Sequence, residues 1–369
     1  MTSQTPRRGS SSRRRASVSV PAPSSHLPVW MLIVIDVLLT GIFLLIFAYF
    51  HHVRVPMASQ SGPISSSVKA TATVAPAPTP AVEPSVTTDP SQTDPSGSVD
   101  ETPAPTSTPL PADIGQFGEK FAEHFLEIGE EIINTPELYR SRDIEITMNK
   151  VQENDVTYFV ADIYLRNVEN FRTAFADGSY ANNRQEIAEI SRDVNALVAI
   201  SGDYYGLRYK SYVLRNGDLY RDAAEDWDVC VLYYDGTMET YSPNEFNLQD
   251  AMNRGAWQIW QFGPQLLDDG QVMTSFNSDV PGLNPRSSMG YYEPGHYCFI
   301  VVDGRQEGYS KGMKLEELSQ LYYDLGCKAA FNLDGGATAI MTQYGERISQ
   351  PYKGGRDQSD IVYIGEVQE

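Results

Sequence analysis

Residues 29–50, VWMLIVIDVLLTGIFLLIFAYF, run for 22 residues with a single charge, Asp36. As a helix rising 1.5 Å per residue, this run spans about 33 Å, enough for a bilayer core of about 30 Å. Trp30 and Tyr49 stand near its ends, where amphipathic rings favour the interface. Arg7, Arg8, Arg13, Arg14 and Arg15 precede the run and only Arg54 closely follows it, which predicts the N-terminus inside and the remainder outside. The run is long for the apolar region of a cleaved signal peptide, and no small-residue cleavage site follows it. Asp36 either meets a partner helix in the membrane or reaches the interface. The expected order is a basic cytoplasmic tail (1–28), a transmembrane helix (29–50), a linker (51–112) and an extracellular folded domain (113–369). That makes a single-pass cell-membrane protein, attached through residues 29–50.

The linker is rich in Pro, Ser, Thr, Ala and Val, as in TATVAPAPTPAVEPSVTTDPSQTDPSGS. Almost nothing in it can build a core, so it reads as a disordered, partly polyproline stalk. The chain carries −20, and residues 1–55 contribute +5, from six Arg against Asp36, so residues 56–369 carry −25. A surface this acidic repels phosphate backbones and argues against a nucleic-acid partner. Cys230, Cys298 and Cys327 are too few and odd in number for a disulfide framework. They read as buried thiols, with one pair open if the domain is extracellular. Only His124 and His296 lie beyond residue 52, which argues against a histidine zinc site. No spaced calcium loop is present, and neither a metal nor a cofactor is expected.

The remaining 257 residues suit one large domain. Strand-like runs include DIEITMNKV, VTYFVADIYL, ALVAISGDYY, WDVCVLYYDGTMETY, HYCFIVVDG, AAFNLDGGATAIMTQYG and DIVYIGEV. Helical patterns cover 184–193, 244–254 and 314–325, and Phe117, Phe121, Phe125, Ile128 and Ile132 predict an opening helix over 114–133. The expected class is α+β, a mixed β-sheet core with flanking helices.

The informative positions are polar breaks in these strands. Asp235-Gly236-Thr237, between two alternating runs, reads as a hairpin turn. AAFNLDGGATAI (329–340) fits a turn less well. Positive φ needs glycine, but a turn does not need Asn332 and Asp334 beside Gly335 and Gly336. Paired glycines let a backbone approach a ligand closely or expose N–H groups to an anion. ISGDYYG (200–206), NPRSSMGYY (284–292), VVDGRQEGYS (301–310) and GGRDQSDIVYI (354–364) repeat the theme. No G-x-S-x-G elbow, phosphate-binding P-loop or H-E-x-x-H helix occurs. The remaining chemistry is carboxylates and arginines: Asp acts as nucleophile, acid or base, and the arginine fork matches phosphate. That set suits a substrate with a phosphate and a glycosidic bond.

Taken in order, AISGDYYG, FGPQLLDDGQ (262–271), NPRSSMG, VVDGRQEGYSKGMKLEEL and AAFNLDGGATAIM, closed by RDQSD, resemble the phosphodiester glycosidase family over roughly residues 145–366. The resemblance implies that 113–369 is a phosphodiester glycosidase-like domain. It would hydrolyse a sugar linked through its anomeric carbon to a phosphodiester, in cell-surface or exopolysaccharide glycans. It also implies site residues. Asp203 matches the acid of the family's NGD motif, with Gly202 beside it and Ser201 where Asn is usual. Arg286 matches the arginine of the PR loop, a phosphate clamp, and Asp303 and Arg305 match DGR. Asn332, Asp334, Gly335 and Gly336 match NLDGG. Ala337 and Thr338 replace the usual third Gly and Ser, so a hydroxyl is kept. Arg356 matches an arginine near the family's C-terminus. Asp334, Asp303 and Asp203 are thus the catalytic candidates. Substrate binding falls to Arg286, Arg305, Asn332, Gly335, Gly336, Thr338, Arg356, Ser201 and Gly202. Ser201 and Ala337 feed the alternative of an inactive glycan-binding module of the same fold. A purely structural surface protein would leave the strand-end Asp and Arg residues without a role.

Overall fold

The computed structural model describes residues 114–367, together with Met31, Ile35, Thr40, Pro63, Ser65 and Ser66. The basic tail, most of the linker and the expected transmembrane helix lie outside the described residues. Met31, Ile35 and Thr40 alone of that segment are described, and they are helical. Among the described residues no helix is long and apolar enough to cross a membrane. Residues 1–55 and 56–369 are separate units, and the sheets lie in the second.

Three large sheets and a two-stranded ribbon, Leu267–Asp268 with Gln271–Val272, build the domain, antiparallel in every described pairing. One has seven strands, in the order Ala329–Leu333, Arg286–Glu293, His296–Val302, Val156–Leu165, Ile144–Glu153, Leu138–Arg140 and Ile133–Asn134. A second has six, from Ser65–Ser66 at one edge through Asp218–Ala223, Ser211–Arg215, Ala256–Phe262 and Asp228–Tyr233 to Met238–Tyr241. The third has five: Glu346–Arg347, Met341–Gln343, Val198–Ser201, Asp360–Ile364 and Phe171–Phe175. Within the expected stalk, Ser65–Ser66 pairs with Leu219 and Asp218.

Side chains alternate across a strand, and here both faces find cover. From Val156–Leu165, Phe159, Ala161, Ile163 and Leu165 enter one core shared by all three sheets, with Trp260, Phe171, Val198 and Val362 among their companions. Val156 and Tyr158 face the other way, onto Leu315, Leu318 and Tyr322 of the Leu315–Asp324 helix. Ile187–Asp193 covers the five-stranded sheet through Ile187 and Ile190. Leu248–Arg254 covers the six-stranded one through Ala251. Burying each such Phe, Leu or Ile stabilises by about 1.5–3 kcal/mol. These three helices fall inside the three segments expected from periodicity.

The opening helix expected over 114–133 does not form. Residues 115–121 are turns, Ala122–His124 is a short 3-10 turn and Ile133 already starts a strand. Phe117, Phe121 and Phe125 are buried as expected, but Ile128 and Ile132 are exposed. Gly115 and Gly129 have positive φ, a backbone that no continuous helix tolerates. The phenylalanines pack singly instead. A Cβ on Gly236 would lie 2.5 Å from Phe117 Cζ. Gly236 is also the positive-φ residue of the expected 235–237 turn, which Thr237 N–H closes by donating to Asp235 Oδ1 at 2.8 Å.

The three cysteines are free and buried, with Cys298 Sγ 3.8 Å from Cys327 Sγ.

Candidate active site

Register brings the strand ends together. Ser287 pairs with Leu333 and Arg286 with Val302, so Arg286, Asp303 and Asp334 emerge at one end of the seven-stranded sheet. In the five-stranded sheet Ser201 pairs with Ile361. Gly202 then receives Asp334 N–H on its carbonyl at 3.1 Å, and Ser201 Oγ donates to Asp334 O at 2.6 Å. Two sheets thereby grip the backbone of Asp334. Thr338 Oγ1 donates to Asp334 O and Gly335 O at 3.1 and 2.7 Å. The glycines serve close approach: Gly336 N–H donates to Pro285 O at 3.0 Å, and a Cβ on Gly335 would lie 2.7 Å from that oxygen.

A cleft of about 370 Å³ opens at this end. Asn332, Asp334, Gly335 and Gly336 line it, with Arg286, Arg305 and Arg356 around them. Ser201, Gly202 and Thr338 do not line it; they brace the loop from behind. A larger hollow of about 470 Å³ lies beside Met238–Tyr241, but its Glu239 is tied to Arg254 and the Tyr241 hydroxyl. The chemistry therefore points to the smaller cleft.

Asp334 is 8% exposed. Its Oδ2 accepts from Arg356 Nη2 and Gln358 Nε2, both at 2.9 Å, so Oδ1 stays outside this pair of bonds. Burial raises its pKa, against the lowering effect of Arg356, Thr338 and Gln358. Asn332 is oriented without ambiguity: its Nδ2 donates to Gly263 O and Leu333 O at 2.9 and 3.0 Å. Its Oδ1 is buried with no partner, an acceptor in want of a donor, and such a group costs about 1–3 kcal/mol.

Arg286 is 4% exposed and its bonds go to carbonyls: Nε to Met313 at 3.0 Å, Nη2 to Val280 at 2.9 Å and to Gly282. No carboxylate pairs with it among the described residues. Burial, with Arg305 nearby, lowers its pKa to about 10. Arg305 donates through Nε to Asn284 Oδ1 at 3.0 Å and lies over Tyr352. Five cations, Arg208, Arg286, Arg305, Lys353 and Arg356, line the cleft against two carboxylates, Asp279 and Asp334.

Two of the carboxylates expected to act on substrate stand elsewhere. Asp203 is fully buried, with Arg215 Nη2 2.8 Å from its Oδ1; its Oδ2 accepts from Gln261 N–H at 3.2 Å. Arg215 also lies 3.0 Å from Asp360 Oδ2. This buried triad underlies the Gly202–Asp334 contact. Asp303 is 1% exposed and accepts the Gln350 N–H and the Tyr309 hydroxyl at 2.9 and 2.8 Å on Oδ2. It ties the 303–310 loop to the 350 region, and burial raises its pKa to about 6. Neither lines the cleft. Arg208, Trp227 and Phe262 do line it; Phe262 opens the FGPQLLDDGQ motif, whereas no sequence motif singles out Arg208 or Trp227. Among the described residues no group of three or more His, Cys, Asp or Glu is arranged to hold a metal.

Comparison with known proteins agrees on the fold. The catalytic domain of zebrafish N-acetylglucosamine-1-phosphodiester α-N-acetylglucosaminidase, in a form auto-inhibited by its pro-peptide, superposes with a TM-score of 0.50 at 18% identity. The match covers 63% of this chain and 85% of that one. A hypothetical protein from Synechocystis gives a TM-score of 0.49 at 14% identity, over 63% of this chain and 64% of that one. In sequence, the SPbeta prophage-derived uncharacterized protein YomE of Bacillus subtilis strain 168 is 30% identical over 184 residues. That stretch is 45% of this chain, and the chain spans only 28% of the length of YomE. Residues 194–365, which include the strands that carry Asp334 and Arg286, match the model of the phosphodiester glycosidase family.

Proposed function

We propose that this protein is a membrane-anchored extracellular hydrolase that cleaves the bond between a sugar's anomeric carbon and a phosphodiester in cell-surface glycans. The observation that carries this reading is Arg286, a buried cation with no carboxylate partner among the described residues, in the same cleft as Asp334. An uncompensated buried guanidinium is costly, and a phosphate oxygen supplies the missing charge bidentately. Five cations gathered on a unit that carries −25 favour an anionic substrate over a neutral one.

Asp334 is the one buried carboxylate on the cleft wall among the described residues. Arg356 and Gln358 fix its Oδ2, which leaves Oδ1 to act as base on water or as nucleophile at the anomeric carbon. Phosphate leaves readily without a proton, so a second carboxyl acting as acid is dispensable. Arg286 and Arg305 receive the developing negative charge from fixed positions. Asn332 Oδ1 accepts a hydroxyl or amide N–H of the sugar. The extracellular, anchored placement rests on residues 29–50 and the arginines before them.

The test is phosphorus NMR on the full chain in detergent, incubated with N-acetylglucosamine-1-phosphate methyl diester and its analogues with other sugars. The diester signal should give way to the monoester. Failure to convert any sugar-1-phosphodiester, with glycan binding retained, would replace this reading with the inactive binding module.

A further inference from the structure

Arg208 follows the short 3-10 turn Tyr205–Leu207 and reaches the cleft from the side of the six-stranded sheet. Its guanidinium carbon lies 4.6 Å from the Trp227 ring centroid and 4.8 Å from that of Phe262. The two ring planes are within 19° of parallel. Both rings lie against the guanidinium and restrict its position. Its side chain is 13% exposed. Nη1 is buried and makes no hydrogen bond. It forms an ion pair with Glu225 Oε2 at 3.8 Å, longer than a hydrogen bond, and that oxygen accepts none either. Burial lowers the Arg208 pKa, against the raising effect of Asp203, Glu225 and Asp334.

Arg208 lines the cleft, and a 3.8 Å ion pair with Glu225 leaves the hydrogen-bonding capacity of its guanidinium unfilled, which an acceptor in the cleft would meet. Arg286 and Arg305 come from the other side, on the strand ends of the seven-stranded sheet. A phosphodiester has two non-bridging oxygens, one for each side. We propose that Arg208 is a specificity-determining residue that takes one non-bridging oxygen of the substrate phosphodiester while Arg286 and Arg305 take the other. This rests on the proposed function of the cleft as a sugar-phosphodiester site. It adds that the enzyme selects the phosphate from two sides and discriminates against neutral glycosides of the same sugar.

The experiment uses the full chain and Arg208→Gln and Arg208→Lys variants. The substrates are N-acetylglucosamine-1-phosphate methyl diester and the neutral p-nitrophenyl N-acetylglucosaminide. Calorimetry with N-acetylglucosamine 1-phosphate and with free N-acetylglucosamine gives a second readout. Losing a charge-assisted hydrogen bond predicts a fall of about 10- to 100-fold in kcat/KM on the diester. The neutral glycoside should change less than about threefold, with the melting temperature retained. The lysine variant should fall between, because it keeps the charge and loses the stacked fork. Equal losses on both substrates, or none on the diester, overturn the proposal. If the wild type hydrolyses neither substrate, the hydrolase reading fails and binding decides this one. Weaker binding of the 1-phosphate by Arg208→Gln, with the free sugar unchanged, supports it. Equal affinity in both proteins, or no wild-type binding of the 1-phosphate, overturns it.

Discussion

Replacing Arg215 by methionine tests the ground on which the cleft stands. Arg215, Asp203 and Asp360 have fully buried side chains, with Arg215 Nη2 2.8 Å from Asp203 and 3.0 Å from Asp360. Methionine fills much of the stem and carries no charge. Removing one partner from a buried ion pair costs about 3–5 kcal/mol, because the remaining charges have no water to turn to. The pH dependence is the sharper signature. Burial already raises Asp360 to about 7, against the opposing pull of Arg215. A carboxyl whose pKa is raised by folding keeps its proton in the folded state and releases it on unfolding, so its contribution to stability is lost as pH rises. Without the guanidinium, the dry site must hold one further proton to keep the same net charge. Each extra folded-state proton adds about 1.4 kcal/mol per pH unit, or about 3 kcal/mol between pH 5 and pH 7. Urea unfolding of the full chain in detergent, followed by tryptophan fluorescence, should show a markedly larger penalty at pH 7 than at pH 5. Adding Asp360→Asn should recover part of it. A penalty equal at both pH values, or below about 1 kcal/mol at pH 7, would refute the reasoning.

Other consequences are direct. Asp334→Asn should lower kcat on the sugar-1-phosphodiester by about 10²–10⁴-fold with the melting temperature retained, and near-normal turnover would remove Asp334 from catalysis. Because burial raises the Asp334 pKa and the reaction uses the ionised form, the acidic limb of the kcat profile should lie above the ordinary carboxylate value of about 3.9; a limb at or below that value counts against the assignment. Gly335→Ala places a methyl 2.7 Å from Pro285 O and should cost about 1–3 kcal/mol while displacing the Asp334 loop, visible as a lower melting temperature together with lost turnover. Asp303→Asn removes a carboxyl with pKa about 6, so the decline of stability as pH rises from about 4 to about 6 should flatten in urea titrations; an unchanged slope would show that Asp303 is not its source.

How far each residue's role is legible in the sequence depends on how that residue is satisfied. Three helices are legible because each covers one sheet with a single apolar face, and periodicity reports that face directly. The segment 114–133 obeys the same pattern for another reason. Phe117, Phe121 and Phe125 are buried one at a time along a chain that Gly115 and Gly129 keep turning, and spacing alone does not distinguish a stripe from a series of plugs. The loop at 332–336 stands out because its composition exceeds the needs of a turn, and the structure gives the excess a place on the cleft wall. Asp203 and Asp303 carry the same strand-end signature yet point inward. The difference lies in partners distant in sequence: Arg215, which reads in YVLRNG as an ordinary strand terminus, and the Gln350 N–H, which no side-chain pattern records. Arg208 is the converse case. In GLRYK it looks like a solvated loop cation, and only the approach of Trp227 and Phe262 turns it into a fixed donor whose Nη1 makes no hydrogen bond. A strand-end carboxylate thus becomes structural or chemical according to where its partner meets it. At this cleft Asp334 meets its cation, Arg356, at the wall, whereas Asp203 meets Arg215 within the core.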